Sequence, residues 1–160
     1  MVTVLPGCTP EPEPTPTPTA AFASEEEAFA AAEEVYRAYN DAGNARLRGE
    51  ESPDPQDFLI ATALEDDIDG LELLRTSKLQ LVGEISVAKF VGQNADLTSS
   101  DAQVVSMVCL DVSATHVLDS VGTDITPTDR PPTLAQEVTM VFDDGAYLIT
   151  KQAETEATSC

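Results

Sequence analysis

Tryptophan is absent from this 160-residue chain, and aromatic residues of all kinds make up only 5% of it. A ligand site built on large stacked rings is therefore excluded, and any pocket must be lined mostly by aliphatic side chains. Basic residues are also scarce, since 8 Lys and Arg stand against 29 Asp and Glu, for a formal charge of -21. The electric field of so negative a chain repels phosphate groups, so no nucleic-acid partner is expected. The charge by itself indicates only a well-solvated surface.

The N-terminal stretch consists of residue types that do not form a core. Pro and Thr alternate over residues 9–19, with two Glu among them. Proline fixes φ and lacks an amide donor, so this segment favours extended, solvated conformations of the polyproline type. We interpret residues 9–23 as a spacer and residues 1–8 as the remnant of an export signal.

Residues 5–8 read Leu-Pro-Gly-Cys, which resembles the lipobox of bacterial lipoproteins, where a cysteine after a small residue becomes the acylated N-terminus. The resemblance implies that Cys8 carries a lipid and that the membrane is a partner through this anchor. Only seven residues precede Cys8, without a basic segment or a long apolar stretch. We therefore expect an upstream translation start or a trimmed sequence, the alternative being lost export with an ordinary thiol at Cys8.

Two further cysteines leave an even number for pairing: Cys109 in an apolar run, and Cys160 at the last position. We predict that they form a disulfide in an oxidising compartment, which would hold down the polar C-terminal tail. The alternative is a buried thiol at Cys109 and an unpaired Cys160. The sequence contains no CxxC pair, and His116, its single histidine, completes no ligand spacing, so neither a metal nor a cofactor is expected.

Helices are predicted first along the chain after the spacer. Residues 24–27 (SEEE) form a capping box, and apolar residues at helical spacing continue up to Gly43-Asn44, which we predict to end the first helix. Two shorter helices are predicted over 58–64 and 68–74. The acids at 65–69 resemble a calcium loop, but apolar residues keep helical spacing through them. We therefore interpret them as the acidic first turn of a helix, with weak calcium association as the alternative.

Strands are predicted in the second half. Residues 79–87 alternate between apolar and polar types, which is typical of a half-buried strand, and residues 91–101 are predicted to turn the chain. The run AQVVSMVCLDVSATHVL at 102–118 is rich in β-branched residues and is predicted to be a central strand covered on both faces. Two last strands are predicted over 135–142 and 146–152, joined by a hairpin turn at Asp143-Asp144-Gly145.

This order predicts an α+β domain over residues 24–160, with N-terminal helices packed on a curved antiparallel sheet. The runs VVSMVCLDVS, DITPTDRPP and VTMVFDDGAYLI, in this order, resemble the NTF2-like domains of secreted lipoproteins from high-GC Gram-positive bacteria and their phages. The resemblance implies a cone-shaped fold with a pocket between the helices and the sheet. The chain shows no clear strand between its second and third predicted helices, so we expect a smaller sheet than in enzymatic members.

The candidate pocket residues are Tyr36, Phe58, Met107, Asp111 and Met140. Asp111 lies in the most apolar run, where an apolar wall could shift a carboxylate toward catalytic use. The interpretation we favour is an outward side chain, or one bonded to a nearby backbone amide, and we likewise expect the nearby histidine to be solvated. No nucleophile motif or glycine-rich phosphate loop is present, so no catalytic residue is assigned.

The sequence therefore predicts a membrane-anchored, extracytoplasmic lipoprotein at the cell surface, whose domain binds a small ligand or a protein partner without catalysis. One alternative is a phage-linked surface or virion protein that excludes further infection or takes part in assembly. Another is an enzyme of the ketosteroid isomerase or dehydratase type that uses Asp111. That enzyme requires Asp111 inside a closed apolar cavity.

Overall fold

The computed structural model describes residues 21–98, 101–156 and 160. Cys8, residues 1–7 and most of the predicted spacer lie outside the described residues. The described part contains two α-helices, one short 3₁₀ helix and six strands. In chain order these are α1 (Glu25–Leu47), the 3₁₀ helix (Pro55–Phe58), α2 (Ala61–Ser77), β1 (Gln80–Val82), β2 (Ser86–Asp96), β3 (Gln103–Asp111), β4 (His116–Leu118), β5 (Thr133–Asp143) and β6 (Ala146–Thr155).

Four of the strands form an antiparallel sheet in the order β2-β3-β5-β6, and β1 pairs with β4 in a separate two-stranded sheet. Helix α1 packs on β2, β3 and β6, and α2 packs on β6 and β1. The core lies between α1 and the four-stranded sheet, with Ala32 and Tyr36 of α1 against Val108, Val138 and Met140. The protein is thus an α+β domain with helices packed on antiparallel strands.

The beginning of α1 agrees with the capping box. The Ser24 hydroxyl accepts a hydrogen bond from the Glu27 amide at 3.2 Å, and the Glu27 carboxylate accepts one from the Ala23 amide at 2.9 Å. The predicted end at Gly43-Asn44 is wrong, because the helix continues to Leu47. Asn44 is buried and bonds to both backbone groups of Ile85, at 2.7 and 2.9 Å, so a tertiary contact holds this turn in the helix.

The two short helices predicted over 58–64 and 68–74 are one continuous helix, α2, preceded by the 3₁₀ turn. The interpretation of the acids at 65–69 as the first turn of a helix is wrong, because they lie in the interior of α2. Asp67 instead accepts hydrogen bonds from Arg46 of α1 at 2.8 and 3.1 Å, which fastens the middle of α2 to α1. The helix ends at Lys78, whose φ of 55° places it in the left-handed region.

The predicted strand over 79–87 is divided at Gly83 into β1 and β2, which belong to different sheets. Gly83 has a φ of +100°, and a Cβ there would overlap the carbonyl of Ala114, so only glycine fits the bend. The predicted turn over 91–101 is also wrong in its first half, because β2 continues to Asp96. Gly92 allows this continuation, since the Phe29 ring of α1 lies where a Cβ would be.

The hairpin predicted at residues 143–145 is confirmed. Asp143 pairs with Ala146, which leaves Asp144 and Gly145 as a two-residue loop with φ values of 45° and 91°. Positive φ at both positions is the mark of a type I′ turn, whose twist matches that of the flanking strands. The central run is divided, since β3 ends at Asp111 and a turn carries the chain to β4 in the smaller sheet.

The predicted disulfide between Cys109 and Cys160 is present, with the two Cα atoms 5.6 Å apart and a sequence separation of 51. Val108 and Leu110 face the core, so strand alternation places Cys109 on the opposite face of β3. The bridge therefore attaches the C-terminal residue to the face of the sheet away from the helices. None of the helices in the described part of the chain is both long and apolar enough to cross a membrane.

Candidate ligand cavity

A cavity of about 510 Å³ lies between α1, α2 and the sheet face that carries the helices. Its volume falls in the range that accommodates a small organic ligand. Most of its wall is apolar, and seven aliphatic side chains from both helices, both sheets and the segment before β2 contribute to it. They are Leu47, Leu71, Leu73, Leu74, Leu81, Ile85 and Leu110.

Two tyrosines of α1 provide uncharged polar groups inside the cavity. The Tyr36 hydroxyl donates to Gln136 Oε1 at 3.4 Å, and Gln152 Nε2 donates to the Tyr39 hydroxyl at 3.1 Å. Burial is the main cause that raises the pKa of Tyr36 and of Tyr39 above that of an ordinary phenol. The tyrosines are therefore neutral at physiological pH, and with the glutamines they offer hydrogen bonds without charge.

Charged groups lie in the cavity wall where the last turn of α1 meets the middle of α2. Arg46 of α1 makes a two-oxygen contact with Asp67 of α2 and donates to Asp54 at 3.2 Å. Gln56 donates to the same Asp67 carboxylate at 2.9 Å. Partial burial lowers the pKa of Arg46, but its bonds to Asp67 and Asp54 outweigh this and raise it overall. Asp66, next to this group, is exposed and also lines the cavity.

Two helix-interior glycines, Gly43 of α1 and Gly70 of α2, also line the cavity. Neither has a positive φ, and a Cβ built on either would meet nothing within 4 Å. Glycine inside a helix costs about 0.8–1.0 kcal/mol relative to alanine. Here it leaves space that side chains would otherwise occupy. The sequence prediction placed Gly43 at a helix end and did not connect Gly70 with a cavity. The signal for Gly43 was its helical spacing, since positions 36, 40, 43 and 47 share one face of α1.

Of the five predicted pocket residues, the structure places Tyr36 in the cavity wall and the others elsewhere. Met140 is fully buried in the core beneath α1. Phe58 lies in the 3₁₀ helix with its ring 6.4 Å from that of Tyr39, outside the lining. Met107 lies between two core-facing residues of β3, so it points to the other face of the sheet.

Asp111 is the last residue of β3 and is not part of the cavity wall. Its carboxylate accepts a hydrogen bond from the Ser113 amide at 2.9 Å, and bonding by the Ser113 side chain and amide lowers its pKa. The enzyme alternative required this carboxylate in a closed apolar cavity, and Asp111 does not have that position. His116, on β4, is exposed, and its Nδ1 lies 2.8 Å from a carboxylate oxygen of Asp124.

Within residues 21–98, 101–156 and 160, no group of three or more His, Cys, Asp or Glu side chains is arranged to hold a metal ion. No family model matches the chain. No curated protein matches it either. Among solved structures, the chain is similar to the intermembrane space region of the chloroplast protein ARC6, with a TM-score of 0.52 and 12% sequence identity. The match covers 79% of this chain and 95% of that chain. At this identity the likeness concerns the fold alone.

Proposed function

We propose that this protein is a binding domain without catalytic activity, which holds a small, largely apolar ligand in the cavity between α1, α2 and the sheet. The observation that carries the proposal is a cavity of about 510 Å³ whose wall combines aliphatic side chains with neutral tyrosine and glutamine groups. Such a wall binds by burial of apolar surface and orients the ligand by a few hydrogen bonds. The packing of the helices on one face of the antiparallel sheet supports an NTF2-like arrangement.

We further propose that the domain acts outside the cytoplasm, tethered through a lipid on Cys8 and the spacer at 9–23. The Cys109–Cys160 disulfide supports an oxidising compartment, where such bridges persist. The alternation of Pro and Thr supports a spacer that holds the domain away from the bilayer. Intact mass of protein extracted from membranes tests the tether. An acyl mass on wild type and its loss in Cys8→Ser are expected, and an unmodified Cys8 would contradict it.

Ligand binding is tested with N-phenyl-1-naphthylamine, a neutral probe whose fluorescence rises in apolar surroundings. The Gly43→Leu variant should fill part of the cavity, because Gly43 lines it and nothing lies within 4 Å of the position of a new Cβ. Ala38→Leu is the matched control, since Ala38 is an exposed residue of the same helix that does not line the cavity. We expect wild type and Ala38→Leu to bind the probe alike and Gly43→Leu to bind it at least several-fold more weakly.

Equal binding by the three proteins would show that the probe binds elsewhere. The absence of binding to wild type would contradict the proposal directly. Circular dichroism of each variant checks that it is folded. Gly43→Leu raises the helix propensity of α1, since Leu is a better helix former than Gly, and Ala38→Leu lowers it only slightly.

A further inference from the structure

The charged side chains of the cavity wall include more acids than bases. They are Arg46, Asp66 and Asp67. The guanidinium of Arg46 is already engaged by two carboxylates, those of Asp67 and Asp54. An anionic ligand would therefore find no unengaged cation in the described wall, and its entry would compete with an existing ion pair.

The exposed Asp66 carboxylate lies on the same helix face as the aliphatic lining of α2, one turn before Gly70 and about two turns before Leu74. A ligand with a positive group beside Asp66 could thus extend its hydrocarbon body along Gly70 and Leu74 into the cavity.

The charge of the whole chain acts in the same direction. With a formal charge of -21, its field attracts cations and repels anions over about 10 Å at 0.1 M salt. This long-range field does not select the cavity, however, because it acts over the whole surface. The local arrangement of Asp66, the occupied Arg46 and the apolar wall supplies the selection.

We infer that the ligand of the cavity is an apolar cation, of the class of an amine or quaternary ammonium with a hydrocarbon body. Its charged group lies beside the exposed Asp66, because the Asp67 carboxylate is already bonded to Arg46 and Gln56. Its hydrocarbon packs against the leucines of α2 and the sheet. This inference rests on the proposed function, and it adds the sign of the ligand's charge and the direction in which the ligand enters.

The test uses three molecules with the same eight-carbon chain, namely octylammonium, octanol and octanoate. Titration calorimetry with the full chain at pH 7 and low salt measures their dissociation constants. Two charges about 4 Å apart in water interact strongly enough to change affinity roughly several-fold. The Asp66 carboxylate attracts octylammonium and repels octanoate, so the difference between these two molecules is on the order of tenfold. We therefore expect octylammonium to bind on the order of tenfold more tightly than octanoate, with octanol between them.

Isosteric variants separate the local site from the overall field. Asp66→Asn should weaken octylammonium binding several-fold and leave octanol unchanged. Asp69→Asn is the matched control, because Asp69 is an exposed acid of the same helix that does not line the cavity. Asp67→Asn removes one carboxylate from Arg46, so we expect octanoate to gain affinity in this variant.

Octanoate binding as tight as octylammonium binding would overturn the inference and leave the proposed function intact. An equal loss in Asp66→Asn and Asp69→Asn would also overturn it, because the preference would then come from the general field. If none of the three molecules binds and N-phenyl-1-naphthylamine also fails to bind, the proposed function is wrong and the inference falls with it.

Discussion

Gly70→Ala should stabilise the protein. Gly70 lies in the interior of α2, has no positive φ, and has nothing within 4 Å of the position that a Cβ would take. The substitution therefore adds helix propensity without overpacking, which is worth about 0.8–1.0 kcal/mol. Gly43 in α1 meets the same conditions. The two sites are on different helices, so the double variant should gain on the order of 2 kcal/mol if the effects add.

Urea unfolding followed by circular dichroism measures this gain as a higher midpoint at an unchanged slope. Gly145→Ala is the contrasting control, because Gly145 has a φ of 91° in the hairpin turn and alanine there should destabilise the fold by about 1–2 kcal/mol. Loss of stability in Gly70→Ala would refute the reasoning, since it would mean that the site is either not helical or not open.

Three further outcomes are expected. Cys160→Ser should lower the free energy of unfolding by about 4 kcal/mol, because it removes a disulfide that closes a loop with a sequence separation of 51. The control Cys8→Ser should leave the free energy of unfolding unchanged. Equal stability of the two variants would contradict the disulfide. All three tyrosines of the chain have a raised pKa, with burial as the main cause. Tyrosinate absorbance should therefore appear well above pH 10 in the folded protein and near pH 10 in urea. The free energy of unfolding should fall as the pH rises through 10, because the unfolded chain then loses protons that the folded protein keeps. Folded protein that ionises near pH 10 would contradict their burial. Gly92→Ala should destabilise by about 1–3 kcal/mol through its clash with the Phe29 ring, and Phe29→Leu should recover part of this in the double variant; strictly additive losses would refute the contact.

The cavity itself came from tertiary structure. Four of the five residues predicted from sequence to line a pocket lie elsewhere. For the three strand residues among them, the alternation of a strand tells which side chains share a face but not where a helix leaves that face uncovered. Tyr36 was predicted to line a pocket and does so. Gly43 and Gly70 are recognisable in the sequence as glycines within helical patterns. That both line one cavity depends on the packing of α1 and α2, which the sequence does not show.

Features determined by interactions within a few residues were readable from the sequence alone. The Ser24 cap depends on an amide three positions away, and the turn at Asp144-Gly145 depends on two residues that tolerate positive φ. The disulfide was predictable as well, because only two cysteines remained once Cys8 was set aside.

Features determined by residues far apart in the chain could not be predicted from the sequence. Helix α1 continues past Gly43 because Asn44 bonds to Ile85, 41 positions later, and α2 continues through its acidic stretch because Asp67 binds Arg46, 21 positions earlier. The division at Gly83 likewise depends on the close approach of Ala114. Local propensity determined which segments form helices, strands and turns. Contacts between segments far apart in the chain determined where those elements end and where space for a ligand remains, because the free energy of such contacts exceeds the small local preferences of the backbone.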